Sequence, residues 1–193
     1  MSNIDPFILD FDLLHGICQS GKVAPIKRYV ADMATQFADA EAARQLSENK
    51  NPLLYEFYNL DLPQEPGALQ FGTSILQPGK VGNEYFMTKG HFHTILDTAE
   101  IYYCLSGQGM MVMETPEGKV DIQELKPGTA LNVPGRWAHR SVNTGSEPLV
   151  TFFVFRADAG HDYGSIEEKG FRKLVVEIDG KPAVIENPKW MQK

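Results

Sequence analysis

The stretch TKGHFHTILDTAEIYYCLSGQG, Thr88–Gly109, carries two of the chain's five histidines, His91 and His93, one residue apart, and then Glu100 at the head of an apolar run. Successive side chains of a strand point to opposite faces. In an extended segment His91 and His93 share one face and Phe92 takes the other. In EIYYCL, Glu100, Tyr102 and Cys104 fall on one face, and Ile101, Tyr103 and Leu105 form the more apolar one. A carboxylate on a half-buried face is costly unless it is paired or bound to a metal. A further imidazole, His139, follows 46 residues after His93, on a strand face shared with Ser141 and Asn143. Three imidazoles and a carboxylate make a nitrogen–oxygen donor set suited to a divalent first-row metal such as Fe2+, Mn2+, Ni2+ or Zn2+. An octahedral ion so held keeps two adjacent positions for a chelating substrate, or for water and O2. HxH alone is weak evidence, since a lone histidine is more often structural. HxH followed by a glutamate and a distant histidine at a strand start outweighs coincidence. His15 has no such pattern around it and is read as structural.

Around this segment, short runs rich in β-branched and aromatic residues alternate with turn residues. FGTSILQ, EIYYCLS, GMMVMET, KVDIQEL, TALNVP, HRSVN and LVTFFVFR all read as strands. MMVMETPEGKVDIQEL is a hairpin turning at Pro116-Glu117-Gly118, and LVVEIDGKPAVIENP is another turning at Asp179-Gly180. Many short strands without intervening helices predict an antiparallel all-β sandwich or barrel. Upstream, KVAPIKRYVADMATQFADAEAARQ reads as a helix, with Ile26, Tyr29, Val30, Met33 and Phe37 as its apolar stripe and Pro25 in its first turn. SENKNP ends that helix, LLYEFYNLDL is a strand or extended lead-in, and PQEPGA is a loop. Residues 1–68 thus form an N-terminal helical and extended segment packing on a barrel of residues 69–193, the whole acting as one structural unit.

With 193 residues, 42% of them hydrophobic, the chain can bury one sizeable core. A formal net charge of −7 without a dense basic run argues against nucleic acid and anionic membranes as partners. No apolar stretch is long enough to span a bilayer, and the first residues lack a basic n-region, so a cytoplasmic location is expected. Cys18 and Cys104 are too few for a disulfide framework and read as small buried thiols.

The site residues resemble the two cupin motifs. The first is Gly90 (or Gly82), His91, His93, Glu100 and Gly107; the second is Gly128, Pro134, His139 and Asn143. Two departures stand out: six residues separate His93 from Glu100, and Gly135 follows Pro134 directly. With these, PGKVGNEYFMTKGHFHTILDTAEIYYCLSGQG, WAHRSVNTGSEPLVTFFVFRADAGHDYGSIEEKGF and the closing ENPKW closely resemble the cupin-type glucose-6-phosphate isomerases, over about the last two-thirds of the chain. The resemblance implies a double-stranded β-helix (jelly-roll) barrel. It also implies a cytosolic homodimer and one divalent metal per subunit, Fe2+ first and Mn2+, Ni2+ or Zn2+ as alternatives. The implied reaction is the interconversion of glucose 6-phosphate and fructose 6-phosphate, which places the protein in glycolysis and gluconeogenesis.

Carried over position by position, His91, His93, Glu100 and His139 are the metal ligands. Thr88, Gly90, Tyr102, His161 and Tyr163 contact the substrate, and Ser74 matches a hydroxyl on the phosphate. Glu100, Tyr102 and His161 are the candidate catalytic groups. Where the family tends to carry tyrosines, this chain has Arg136 and Phe155. Arg136 is a candidate bidentate phosphate donor or else a solvated loop arginine. Lys89 is expected to point outward. Moving a hydrogen between C1 and C2 proceeds through a cis-enediol or by hydride shift, with an electrophile at O1 and O2 in either case. Rival readings are a metal cupin dioxygenase or oxidase, a non-catalytic sugar-binding cupin, and an isomerase that also takes mannose 6-phosphate.

Overall fold

The computed structural model describes residues 5–18, 23–60 and 62–191. Thirteen strands dominate it, and every ladder is antiparallel. β1 (Ile26–Tyr29), β2 (Leu53–Asn59), β3 (Leu69–Leu76), β6 (Glu100–Ser106), β9 (Ala130–Val133) and β11 (Leu149–Arg156) build one sheet in the order β1-β2-β3-β11-β6-β9. β7 (Gly109–Glu114), β8 (Val120–Leu125) and β10 (Ala138–Asn143) build a second, in the order β10-β7-β8. β4 (Lys80–Val81), β5 (Glu84–Tyr85), β12 (Lys173–Ile178) and β13 (Lys181–Glu186) form the third. Leu76, Cys104 and Leu149 from the first sheet meet Met111, Met113, Leu125 and Val142 from the second in one buried cluster. That is the antiparallel all-β barrel the strand pattern predicts. Both hairpins turn where expected: Gly118 has φ +93°, and Asp179 and Gly180 take the left-handed region at +51° and +72°.

The N-terminal helix is corrected. Residues 26–29 are β1, a four-residue helix α1 (Val30–Met33) follows, then a 3-10 turn, and the longer helix α2 begins only at Ala40 and ends at Asn49. Val30, Met33 and Phe37 are buried as a stripe should be, but Ile26 and Tyr29 are exposed. The ladder from β1 to β2 decides the matter, with Ile26 opposite Phe57, Arg28 opposite Tyr55, and Lys27 facing Glu56 across the strands at 3.5 Å. Local helix periodicity is a weak prior against a long-range pairing of this kind. Pro25 therefore precedes a strand, where a missing N–H is tolerated. α2 has its own start signal, since the Asp39 carboxylate accepts from the Ala42 N–H at 2.9 Å. β2 matches the expected extended lead-in, although Asp61 near the end of that stretch lies outside the described residues, as does Lys22 at the head of the helical one. Because β1 and β2 bond into the first sheet, the N-terminal segment contributes strands to the barrel wall.

On β6 the side chains alternate as read. Glu100 and Cys104 turn inward and are buried, while Ile101 and Tyr103 are 44% and 42% exposed. The more apolar face is thus the outer one, and the inner face is given to the site. No helix among the described residues is long and apolar enough to cross a membrane.

Candidate metal centre and substrate cavity

Three separate segments bring the four donors together. Glu100 opens β6, held between Val133 of β9 and Phe155 of β11. His139 sits on β10. His91 lies beside it through a backbone bridge, with the His139 N–H donating to the His91 carbonyl at 3.1 Å. The donor atoms of His91, His93, Glu100 and His139 all lie within 4.8 Å of one another. Glu100 Oε2 is 3.2 Å from His93 Nε2 and 3.0 Å from His139 Nε2.

The outer nitrogens of two rings are braced. His93 Nδ1 meets the Thr98 carbonyl at 3.0 Å and the Thr98 hydroxyl at 2.8 Å, and that hydroxyl donates to the Ile95 carbonyl at 2.7 Å. His139 Nδ1 faces the Trp137 carbonyl at 3.3 Å. Each brace fixes the ring and leaves Nε2 aimed at the cluster, as metal-ligating histidines require. The six-residue spacer that departs from the usual motif thus supplies Thr98, the brace of His93. The segment is anchored from outside, with Ile95 N–H on the Ala159 carbonyl and Arg136 N–H on the Leu96 carbonyl.

Two observations say that these residues fit a cation. His91 Nε2 is buried without a hydrogen-bond partner, and His139 Nε2 is buried against Glu100 Oε2 at 3.0 Å, a costly arrangement that a bound ion relieves. The protonation states also suit one. Burial opposes ionisation of Glu100, but the charge and hydrogen bond of His139, with the bond to His93, outweigh it and hold the carboxyl well below the usual range. Burial and the neighbouring His139 push His91 far down, keeping it neutral. Burial also works against the charge of His93, yet the hydrogen bond and charge of Glu100 raise it; a cation would replace that proton.

The cluster opens on a cavity of about 330 Å3. Ser74, Thr88, Gly90, Tyr102, His161 and Tyr163 all line it, together with His91, Glu100 and His139. The His161 ring centroid is 4.3 Å from that of His91, and Tyr163 stacks on His161 at 5.9 Å. Burial, and then the charge of Glu100, pushes the Tyr102 hydroxyl well above its ordinary value, so it stays a proton donor. Burial lowers His161, which is therefore neutral near pH 7. The Thr88 hydroxyl accepts the Ser141 N–H at 3.0 Å, which leaves its own proton to give. Phe155 is also in the wall, 5.4 Å from His161 and 6.0 Å from His93, and brings no hydroxyl.

Arg136 is not part of this cavity. It sits in the left-handed region at φ +71°, half exposed, and pairs with Glu117 at 2.6 Å, which is the solvated-loop alternative. Lys89 is corrected the other way. It lines the cavity, lies 4.4 Å over the Tyr163 ring and pairs with Glu167. Strand alternation fails there because Gly90, at φ +73°, bends the chain. Sequence reasoning missed Ile26 and Arg28 from β1, and Tyr55, Phe57 and Asn59 from β2. No local motif marks them; only the pairing of β1 with β2, and of β2 with β3, brings them to the site.

Proteins named glucose-6-phosphate isomerase are similar to this chain along nearly its whole length. The chain is 47% identical to the glucose-6-phosphate isomerase of Thermococcus litoralis over 186 residues, 96% of this chain and 97% of that one. It is 45% identical to that of Pyrococcus furiosus over the same shares, and 38% identical to that of Sinorhizobium medicae over 98% of this chain and 89% of the other. A solved variant of Bacillus subtilis oxalate decarboxylase superposes with a TM-score of 0.45 and 23% identity, over 55% of this chain and 26% of that one. The family model described as glucose-6-phosphate isomerase matches residues 27–190, taking in β1 and β2 as well as the barrel, and the chain belongs to that family in its cupin-type form.

Proposed function

We propose that this chain interconverts glucose 6-phosphate and fructose 6-phosphate. The observation that carries the reading is a buried donor set of three histidines and one glutamate, with His91 Nε2 left unpartnered, open to a cavity lined by hydroxyl donors. Relatives bearing that activity in their names, similar over almost the whole chain, support it. His91, His93, Glu100 and His139 would hold one divalent metal, Fe2+ first, with Mn2+, Ni2+ or Zn2+ as alternatives. When bound, the metal supplies Lewis acidity at the substrate's O1 and O2.

The chain's own groups do the rest. Tyr102, kept protonated, donates to a sugar oxygen on the same face as Glu100. Glu100 is the candidate base at C2 in an enediol route, although a carboxylate held so low is a weak one. His161, neutral at the cavity edge, can give or take a proton during ring opening. Ser74, Thr88, the Gly90 N–H and Tyr163 bind and orient the substrate. The same reading carries a homodimer, a cytoplasmic location, and residues 1–68 and 69–193 working as one unit; the bonding of β1 and β2 into the barrel sheet supports the last.

The test is chelation followed by repletion. Fructose 6-phosphate conversion is measured before and after the purified protein is stripped, and again with Fe2+, Mn2+, Ni2+ or Zn2+. Activity that vanishes and returns is the expected result. No conversion with any metal, in protein that binds one ion per chain, overturns the substrate assignment, and oxygen uptake would then point to the oxidase reading.

A further inference from the structure

Among the described residues, Arg28 is the arginine that lines the cavity. Arg44, Arg136 and Arg156 each face a carboxylate, and Arg140 is buried on neutral acceptors. The Arg28 guanidinium donates to the Lys27 carbonyl at 3.2 Å and meets no carboxylate among the described residues, yet it lines the cavity. An unpaired guanidinium facing a cavity in a chain of net charge −7 is suited to receive an anion. Its position fits one end of the substrate. Arg28 stands opposite Tyr55 on the adjoining strand, and its charge reaches the hydroxyls of Tyr55 and Tyr163, where it offsets the burial that raises both. Tyr163 in turn lies 5.6 Å from His91. Arg28 and Tyr163 thus share the cavity wall, and Tyr163 adjoins the metal ligands. Lys89, the other cation in the wall, is already engaged by Glu167 and the Tyr163 ring. Phe155 offers no hydroxyl, so the wall has one donor fewer where the family tends to carry a tyrosine.

We propose that Arg28, carried into the cavity by β1, is the guanidinium that grips the phosphate group of the substrate while the reacting carbons lie at the metal end. This rests on the sugar-phosphate reading above and adds to it a specificity-determining residue from outside the motif-bearing barrel strands. It also gives the N-terminal segment a role in recognition.

The experiment compares wild type with Arg28→Met, Arg28→Lys and Lys89→Met, all metal-loaded. It measures KM and kcat for fructose 6-phosphate, competitive inhibition by inorganic phosphate, bound metal per chain and Tm. Arg28→Met is expected to raise both KM and the phosphate inhibition constant by about 10- to 100-fold, the loss of a charge-assisted pair. Its metal content should match wild type. Arg28→Lys, which keeps the charge and loses the fork, should fall between and guards against a misfolded Met variant. Phosphate inhibition within twofold of wild type in both Arg28 variants, with the loss appearing in Lys89→Met, overturns the proposal. The two readings fail separately. A wild type that binds inorganic phosphate through Arg28 but isomerises no sugar phosphate sinks the isomerase reading alone. An active wild type whose KM ignores Arg28 sinks this one.

Discussion

Gly90→Ala tests whether the metal loop is held by packing beneath it. Gly90 sits at φ +73°, and an alanine there takes on left-handed strain of about 1–2 kcal/mol. The larger effect is steric. A Cβ would lie 2.6 Å from Phe171 Cε2 and 3.1 Å from both Cβ and Nε of Arg140. Neither neighbour has room to move. Phe171 is fully buried and Arg140 nearly so, with its guanidinium 4.5 Å over the Phe171 ring. Arg140 also donates to the Lys89 carbonyl at 2.6 Å and to Gln36 Oε1 at 2.9 Å, and it follows His139 on β10. Overpacking of such a site costs about 1–3 kcal/mol, so the two effects together give about 2–5 kcal/mol.

The chain then gives up strain by moving the least buried participant, the segment carrying Lys89 and His91. Metal affinity should fall with stability. The control is Gly128→Ala, at φ +88° with no heavy atom within 4 Å of the added carbon, which carries the backbone strain alone. Equilibrium denaturation of metal-free protein gives the stability change, and chelator competition gives the metal affinity. Gly90→Ala should lose at least about 1 kcal/mol more than Gly128→Ala and bind metal more weakly. Equal losses in the two variants, with metal affinity unchanged, would refute the claim that Phe171 and Arg140 fix the loop.

Thr98→Val removes the hydroxyl that receives His93 Nδ1 at 2.8 Å but leaves the Thr98 carbonyl at 3.0 Å. Metal affinity should drop by about 10-fold, the low end for loss of such a brace, and a competition titration matching wild type would show that the carbonyl alone orients the ring. Glu84 is buried, accepts the Ala38 N–H at 2.8 Å, and has its carboxyl raised chiefly by burial. A raised folded-state value means that stability from this group is complete below the ordinary carboxylate range and is lost as pH rises through the folded value. Relative to Glu84→Gln, wild type should therefore lose stability as pH climbs from about 4.5 toward neutrality; a flat difference in urea midpoints over that window would contradict it.

The sequence was legible where chemistry and local geometry coincide. From Leu69 onward the turn residues and the β-branched runs mark each strand, because a half-buried strand must alternate and a hairpin must take its glycine. The donor set was legible for the same reason: HxH puts two imidazoles on one face without help from the rest of the fold. The N-terminal stripe misled because Val30, Met33 and Phe37 are truly buried at near-helical spacing, while Ile26 is placed by a partner strand, opposite Phe57. Lys89 misled because alternation holds only within regular strands.

These failures share a cause, and it bears on how the site works. The metal end is built from residues whose neighbours in sequence brace them: Thr98 supports His93, Trp137 supports His139, and Gly90 precedes His91. The opposite end is built from strands brought together over long separations, β1 on β2 and β2 on β3, with Ser74 opposite Phe57. The two ends should also separate in mutants. Changes in the bracing residues should weaken metal binding first, and changes on β1 and β2 should weaken recognition of the substrate's far end while bound metal stays near one per chain. A β1 variant that folds normally but loses its metal would contradict that division, since it would tie the donor set to a strand that contributes none of its ligands.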